Sequence, residues 1–264
     1  MRMYSRRRWI AALGAAAAAL LAEAALIEPR WLRINHYRLQ PKLGCRLVHI
    51  SDLHFHGNEH FLNTIAERIN DEQPDVVCFS GDLVDEAAHL GPALQGIRSI
   101  ASPVFGVPGN HDYWSGASFS RIRKAFQATG GDWIPDEAAF ACNGELRIAG
   151  LSGRTLGPHI AAQPQKAASG RSLLLCHYPA VVKDLLALPE QTRPDLDLIL
   201  AGHSHGGQVR LPFIGATLLP FWVDGYVRGW YDTPAGALYV NVGLGTAALP
   251  LRFLCRPEIA VFDI

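Results

Sequence analysis

The chain has 264 residues, 49% hydrophobic and 18% charged, which suits one large domain with a substantial core and excludes a disordered polypeptide. Its 24 basic and 24 acidic residues balance, so no overall field draws it to nucleic acid, and any affinity for phosphate has to come from a local site. The five cysteines (Cys45, Cys78, Cys142, Cys176, Cys255) share no CxxC spacing, and they read as packed thiols rather than as a zinc-cysteine site or a disulfide scaffold.

Residues 1–30 stand apart. MRMYSRRRW carries four arginines and precedes IAALGAAAAALLAEAALI, which is interrupted only by Glu23. Ser5-Arg6-Arg7-Arg8-Trp9-Ile10 looks like a twin-arginine export motif, and Ala22-Glu23-Ala24 offers a small-residue cleavage site. About 18 to 20 residues span a bilayer, and residues 9–27 reach that length, so we read the segment as a membrane anchor ahead of a cleaved signal. Arginines before the span place the N-terminus in the cytoplasm and residues 31–264, the remaining domain, outside. An interfacial helix holding the domain on the cytoplasmic face stays open.

From Cys45 onward, short apolar runs that end in polar residues alternate with segments of helical spacing, an α/β signature. Strands are expected in CRLVHISD, DVVCFSGD, PVFGVPGN, FACNGELRIAGLSG, RSLLLCHYP, DLDLILAGHSH, GALYVNVGLG and LRFLCRPEIAVFDI. Helices are expected around Phe61, Leu62, Ile65 and Ile69, around Ile122, Ala125 and Phe126, and over Val181–Leu188. Five strands finish in Asp, Asn or His, four of them beside Gly or Ser (ISD, SGD, PGN, CH, AGH). Open α/β sheets bind ligands at the carboxyl ends of strands, so these ends are expected to converge.

Asp52 and His54 form a DxH pair that alone is weak, since such pairs are common in capped turns. Asp82 in SGDLVD adds a carboxylate, Asn110-His111-Asp112 a third strand end, and His177, His203 and His205 three imidazoles. The set has oxygen and nitrogen donors and no thiolate, which suits two divalent ions such as Mn, Fe, Co or Zn.

In order, DxH, GDxxD, GNHD, H and GHxH at residues 52–54, 81–85, 109–112, 177 and 202–205 make the chain resemble the calcineurin-like metallophosphoesterase superfamily. The resemblance runs over roughly residues 45–264. Its GHSHGGQ and YVNVGLGTAALPLRFLCRPEI segments are similar to the branch of exported or membrane-bound phosphodiesterases that includes a UDP-2,3-diacylglucosamine pyrophosphatase of lipid A synthesis. It implies a four-layer α/β/β/α sandwich of two mixed β-sheets. It also implies one ion on Asp52, His54, Asp82 and His205, a second on Asp82, Asn110, His177 and His203, and manganese as the preferred metal. Two such ions clamp the attacking and leaving oxygens of a phosphoryl group, with hydroxide between them as nucleophile. His111, not a ligand in the pattern, would stabilise charge on the phosphate and protonate the leaving oxygen. Asp85 and Asp112 fit carboxylates that orient imidazoles, Asp85 for His111, with a helix cap or turn as the competing reading.

Of the other histidines, His49 reads as a packed core-edge residue, His56 as lining the cleft mouth and His60 as solvent-facing, while His36, His89 and His159 carry no functional argument. The apolar stretch 211–231 reads first as packing on the second sheet and alternatively as an exposed patch for lipid. Arg210, Arg228 and Arg252 offer bidentate contacts to phosphate or pyrophosphate, or surface ion pairs. The expected activity is hydrolysis of a phosphodiester or pyrophosphate, on a lipid-linked substrate such as UDP-2,3-diacylglucosamine. The alternatives are an exported envelope phosphodiesterase and a non-catalytic envelope protein that keeps its metals for structure.

Overall fold

The structure, a computed structural model, describes residues 2–40, 43–156 and 170–264; His159 lies outside them. In chain order the elements are α1 (Arg2–Ala22), β1 (Arg33–Arg38), β2 (Arg46–Ile50), α2 (Glu59–Asp71), β3 (Val76–Phe79), α3 (Leu90–Arg98), β4 (Val104–Gly106), α4 (Asn110–Trp114), α5 (Phe119–Gln127), β5 (Asp132–Trp133), β6 (Ala138–Ala141), β7 (Leu146–Leu151), β8 (Arg171–Cys176), α6 (Val181–Ala187), β9 (Leu198–Ala201), β10 (Arg210–Leu211), β11 (Gly215–Ala216), β12 (Gly229–Thr233), β13 (Gly236–Val240) and β14 (Glu258–Asp263). One six-stranded sheet runs β1-β14-β2-β3-β4-β5 and the other β12-β13-β9-β8-β7-β6. Both are mixed: β2 to β5 run parallel with β14 antiparallel to β2, and β13, β9, β8 and β7 run parallel between antiparallel β12 and β6.

Period-two alternation along these strands sets the layers. Leu47, Cys78 and Phe105 of the first sheet meet Leu173, Leu175, Leu198 and Leu200 of the second in one core. The opposite faces carry Val48, Ile50, Val77 and Phe79 against α2, α3 and α5, and Leu174, Cys176, Ile199 and Ala201 against α6. The order is therefore α/β/β/α. Leu175 lies fully buried between the sheets, and its truncation to alanine would cost about 2–5 kcal/mol.

The expected helices form. In α2 the Asn58 side chain caps Phe61 N–H at 3.1 Å, and Leu62, Ile65, Ala66 and Ile69 face the core. Seven elements carried no clear sequence signal: α3, α4, β1, β5, β10, β11 and β12. α3 is punctuated by Gly91, Pro92 and Gly96, yet Gly96 is where it crosses α2: a β-carbon there would lie 2.5 Å from Leu62 Cγ. β1 (RINHYR) and β12 (GWYDT) are sheet edges, where one exposed flank removes the need for a continuous apolar run.

Two expectations are corrected. Cys45 and Cys142 are not free thiols: they form a disulfide across 97 residues, Cα to Cα 6.0 Å. It joins the start of β2 to the end of β6, one in each sheet. Cys78, Cys176 and Cys255 are free and buried. The segment 211–231 packs on the second sheet only in part: Val223 is buried and Tyr226, Trp230 and Tyr231 pack against that sheet's cores, whereas Phe213, Ile214, Leu218 and Phe221 are exposed.

The helical stretch Arg6–Arg30, 25 residues, is long and apolar enough to cross a membrane. Its C-terminal end is docked on the domain. Arg252 N–H donates to Ala24 O at 2.9 Å, and the buried Glu28 carboxylate accepts from Leu254 N–H at 2.9 Å and from Cys255 N–H.

Candidate metal centre

The carboxyl ends of β2, β3 and β4 in one sheet and of β8 and β9 in the other deliver Asp52, His54, Asp82, Asn110, His177, His203 and His205 to one place. Main-chain bonds set the loops: Asp52 N–H donates to Gly81 O at 2.9 Å and His54 N–H to Asp82 O at 3.0 Å. His203 N–H donates to Asp52 Oδ2 at 3.0 Å and so joins the two sheets at the site. Asp52, His54, Asp82, His203 and His205 all hold positive φ, from 40° to 67°. That left-handed conformation costs a non-glycine residue about 1–3 kcal/mol and gathers at functional sites. Glycine supplies the close approaches: a β-carbon on Gly109 would run into the Asp82 carboxylate, and one on Gly202 into Ser51 and Asp52.

Two donor groups result. Asp52, His54 and His205 have ligand atoms within 4.8 Å of one another, as do Asp82, His177 and His203. In the first, His54 Nε2 is 3.1 Å from His205 Nε2, and His205 Nε2 is 3.4 Å from Asp52 Oδ1. In the second, His177 Nε2 is 3.1 Å from Asn110 Oδ1 and 3.0 Å from His203 Nδ1. Asp82 Oδ2 stands between them, 3.4 Å from His54 Nε2 and 3.3 Å from His177 Nε2. Ligands about 2.1 Å from one ion and roughly 90–110° apart are about 3.0–3.4 Å from each other. The donors present fit two divalent ions flanking Asp82, and the absence of thiolate matches hard or borderline metals.

The electrostatics of the metal-free protein point the same way. Burial opposes protonation of His54, but the Asp52 carboxylate 3.9 Å away, the bond to Asp85 and the nearby Asp82 charge carry it up to about 10. His177, buried but facing Asp82, rises to about 9. Burial lowers His203 to about 4 and His205 to about 3. Burial works against the Asp82 charge, yet the His177 and His54 charges hold it at about 2. Without an ion, two imidazolium groups balance the Asp52 and Asp82 carboxylates.

Around the donors, Asp85 has a wider task than orienting His111. Its Oδ1 lies 2.7 Å from His111 Nδ1 and 2.6 Å from His54 Nδ1, and its Oδ2 lies 2.9 Å from His56 Nε2. Burial notwithstanding, the His111 and His54 bonds hold the Asp85 carboxyl well below the usual range. Asp112 orients no imidazole. It accepts the N–H groups of Asp82 (2.8 Å), Leu83 (2.9 Å) and Gly109 (2.9 Å) and ties the β3 and β4 loops together. His111 N–H donates to Asp82 Oδ1 at 2.8 Å. Arg252 is fully buried and donates to the carbonyls of Gly245, Cys255, Val242 and Gly243, so it does not face phosphate. Arg210 donates to Gly206 O at 2.6 Å. Arg228 remains exposed. His49 is buried against Ser80 Oγ at 2.8 Å, and His60 is exposed on α2. His36 pairs with Glu72 at 2.8 Å.

A contact with no side-chain signature in the sequence is His203 Nε2–H donating to Phe221 O at 2.8 Å. It turns Nδ1 of His203 toward His177. Phe221 belongs to the wall of a cleft of about 360 Å³ whose floor is Asp82, Asn110, His111, His203 and His205, and whose sides include Trp114, Leu218, Leu219, Trp222 and Leu249.

The chain is similar to known proteins over most of its length. The chain is 31% identical over 293 residues to the uncharacterised metallophosphoesterase YkuE of Bacillus subtilis, covering all of this chain and 99% of that protein. It is 26% identical to the Escherichia coli phosphodiesterase YaeI, covering 99% and 100% of the two chains. A Danio rerio transmembrane protein with a metallophosphoesterase domain is 29% identical over 82% of this chain and 52% of its own length. The profile of the calcineurin-like phosphoesterases matches residues 45–207, the segment that holds every one of the converging donors; the chain belongs to that family of metal-dependent phosphoester hydrolases.

Proposed function

We propose that the chain hydrolyses a phosphodiester or pyrophosphate bond with two divalent ions, one on Asp52, His54, Asp82 and His205 and the other on Asp82, Asn110, His177 and His203. The observation that carries this is the single Asp82 oxygen placed between both imidazole sets. Bound there, the ions neutralise phosphoryl charge and lower the pKa of water at the site toward ~7. Manganese suits the oxygen-rich set, with iron, zinc or cobalt as substitutes. Asp85 fixes His111 through Nδ1, leaving Nε2 to face the cleft and hand a proton to the leaving oxygen. Water supplies the oxygen that joins phosphorus, the P–O bond to the leaving group breaks, and that group departs protonated.

The substrate is a phosphoester small molecule or lipid. The apolar cleft wall supports a lipid-linked one, and residues 1–30 serve as the membrane anchor of the domain 31–264. The Cys45–Cys142 disulfide supports placement on the outer, oxidising side, as do the arginines before the helix and the twin-arginine-like motif. That placement favours an envelope phosphodiesterase over hydrolysis of UDP-2,3-diacylglucosamine, a nucleotide sugar of the cytoplasmic side. The test uses the full chain, stripped of metal, refilled with Mn²⁺ and given bis(p-nitrophenyl) phosphate. Turnover that needs the metal and disappears in His111→Ala while metal content persists is expected; metal-loaded protein without turnover on any phosphodiester or pyrophosphate would sink the reading.

A further inference from the structure

β10 and β11 form a two-stranded hairpin outside both sheets. At its tip Phe213 is fully exposed and Ile214 is 73% exposed, and the loop that follows bares Leu218 and Phe221. Large apolar side chains gathered on one surface mark an interaction site.

Main-chain pairing places this surface. Phe253 N–H donates to Gln208 O at 3.0 Å and Arg210 N–H donates to Phe253 O at 2.9 Å, which fixes the hairpin base to the stretch 252–255. The same stretch holds the end of the N-terminal helix, through Arg252 N–H to Ala24 O and Leu254 N–H to the Glu28 carboxylate. Hairpin base and helix end are thus the two neighbours of one short extended segment. The helix is exposed and long enough to cross a bilayer, and its docked end shares this segment with the hairpin base. The loop also reaches the chemistry, because the Phe221 carbonyl holds His203.

We propose that segment 210–222 inserts into the lipid leaflet entered by the N-terminal helix, and that the cleft takes the phosphoester headgroup of a lipid lying in that leaflet. Apolar tip residues sink into the acyl boundary while the donor cluster stays at headgroup depth. The substrate half rests on the hydrolase reading above; the docking half does not. Hydrolysis here breaks a P–O bond of the headgroup, water supplying the new oxygen and the departing alcohol taking the proton.

The test uses the full chain in nanodiscs of phosphatidylcholine and phosphatidylglycerol. Its free cysteines are buried, so Phe213→Cys accepts an environment-sensitive fluorophore selectively. Emission should shift to the blue and be quenched by spin labels on the lipid tails. Quenching by aqueous iodide instead, or shielding from iodide without lipid quenching, as a second copy of the chain would give, overturns the docking surface. Then the Phe213→Asp/Ile214→Asp variant is compared with the unaltered chain on phosphatidyl-p-nitrophenol in the disc and on bis(p-nitrophenyl) phosphate in solution. Hydrolysis of the lipid should fall roughly tenfold or more while the soluble substrate changes less than about twofold; equal effects on both overturn the lipid assignment. Absence of soluble turnover in the unaltered chain would count against the hydrolase reading, and the quenching result would still decide the docking surface.

Discussion

Oδ1 of Asp85 stands 2.6 Å from Nδ1 of His54, and that contact decides which nitrogen of this histidine is left for an ion. The same oxygen is 2.7 Å from His111 Nδ1, so one carboxylate sets the tautomer and ring angle of a candidate ligand and of the candidate proton donor together. Asp85→Asn keeps the shape and removes the charge. Metal affinity of the His54 site should drop about 10- to 100-fold, and kcat should remain depressed at saturating Mn²⁺ because His111 is no longer held. Metal titration followed by kinetics at saturation separates the two effects; unchanged kcat would show that His111 does not depend on Asp85.

Asp82 is expected to be the least replaceable side chain. Its Oδ2 serves both donor groups, and its Oδ1 accepts His111 N–H at 2.8 Å. Asp82→Asn should lower bound metal at both positions and abolish turnover, read by elemental analysis and the chromogenic assay. His56→Ala, which removes only an outer, half-exposed contact to Asp85 Oδ2, should alter substrate affinity by at most about threefold, consistent with the small value of exposed pairs. Full activity in Asp82→Asn would overturn the bridging placement.

The convergence of the seven donors was legible because each lies just beyond a buried apolar strand, five of them directly after a glycine or serine, a pattern that period-two burial and crowded backbone impose locally. The two-sheet layering was legible only through the family resemblance; the strand pattern by itself reads no further than α/β. What escaped lies in partnerships without a local signal. Asp112 has the composition of an imidazole partner but binds three main-chain N–H groups. Arg252 was a plausible phosphate contact until its neighbours proved to be carbonyls. His203 is held by a main-chain oxygen 18 residues away, and any residue type at position 221 would supply that oxygen. Cys45 and Cys142 are 97 residues apart, and five cysteines allow many pairings.

That disulfide gives a thiol count. The protein as isolated under oxidising conditions should show three titratable thiols after denaturation, Cys78, Cys176 and Cys255, and five after reduction. Closing a loop of this length removes denatured-state entropy of order 4–5 kcal/mol in the chain-entropy picture. Cys45→Ala/Cys142→Ala should therefore lower Tm by several degrees, while leaving the soluble-substrate activity near normal, since the bond joins β2 at the end away from Asp52. Five thiols without reduction would remove the support for an oxidising compartment.

Metal loading should expel protons, with a stoichiometry the histidines fix. In the metal-free protein His54 and His177 titrate near 10 and 9, so both carry a proton at pH 7, whereas His203 and His205, near 4 and 3, do not. A raised folded-state pKa means that the two imidazolium groups stabilise the metal-free fold below about pH 6.5. That stabilisation fades as pH climbs through 9 to 10. An ion can use Nε2 of His54 or His177 only after the proton leaves, so binding should release about one proton per ion at pH 7, and apparent affinity should rise about tenfold per pH unit up to that range. Calorimetry of Mn²⁺ binding in buffers of different ionisation enthalpy counts the protons directly. Binding without proton release would place the ions on other donors and remove His54 and His177 from the proposed coordination.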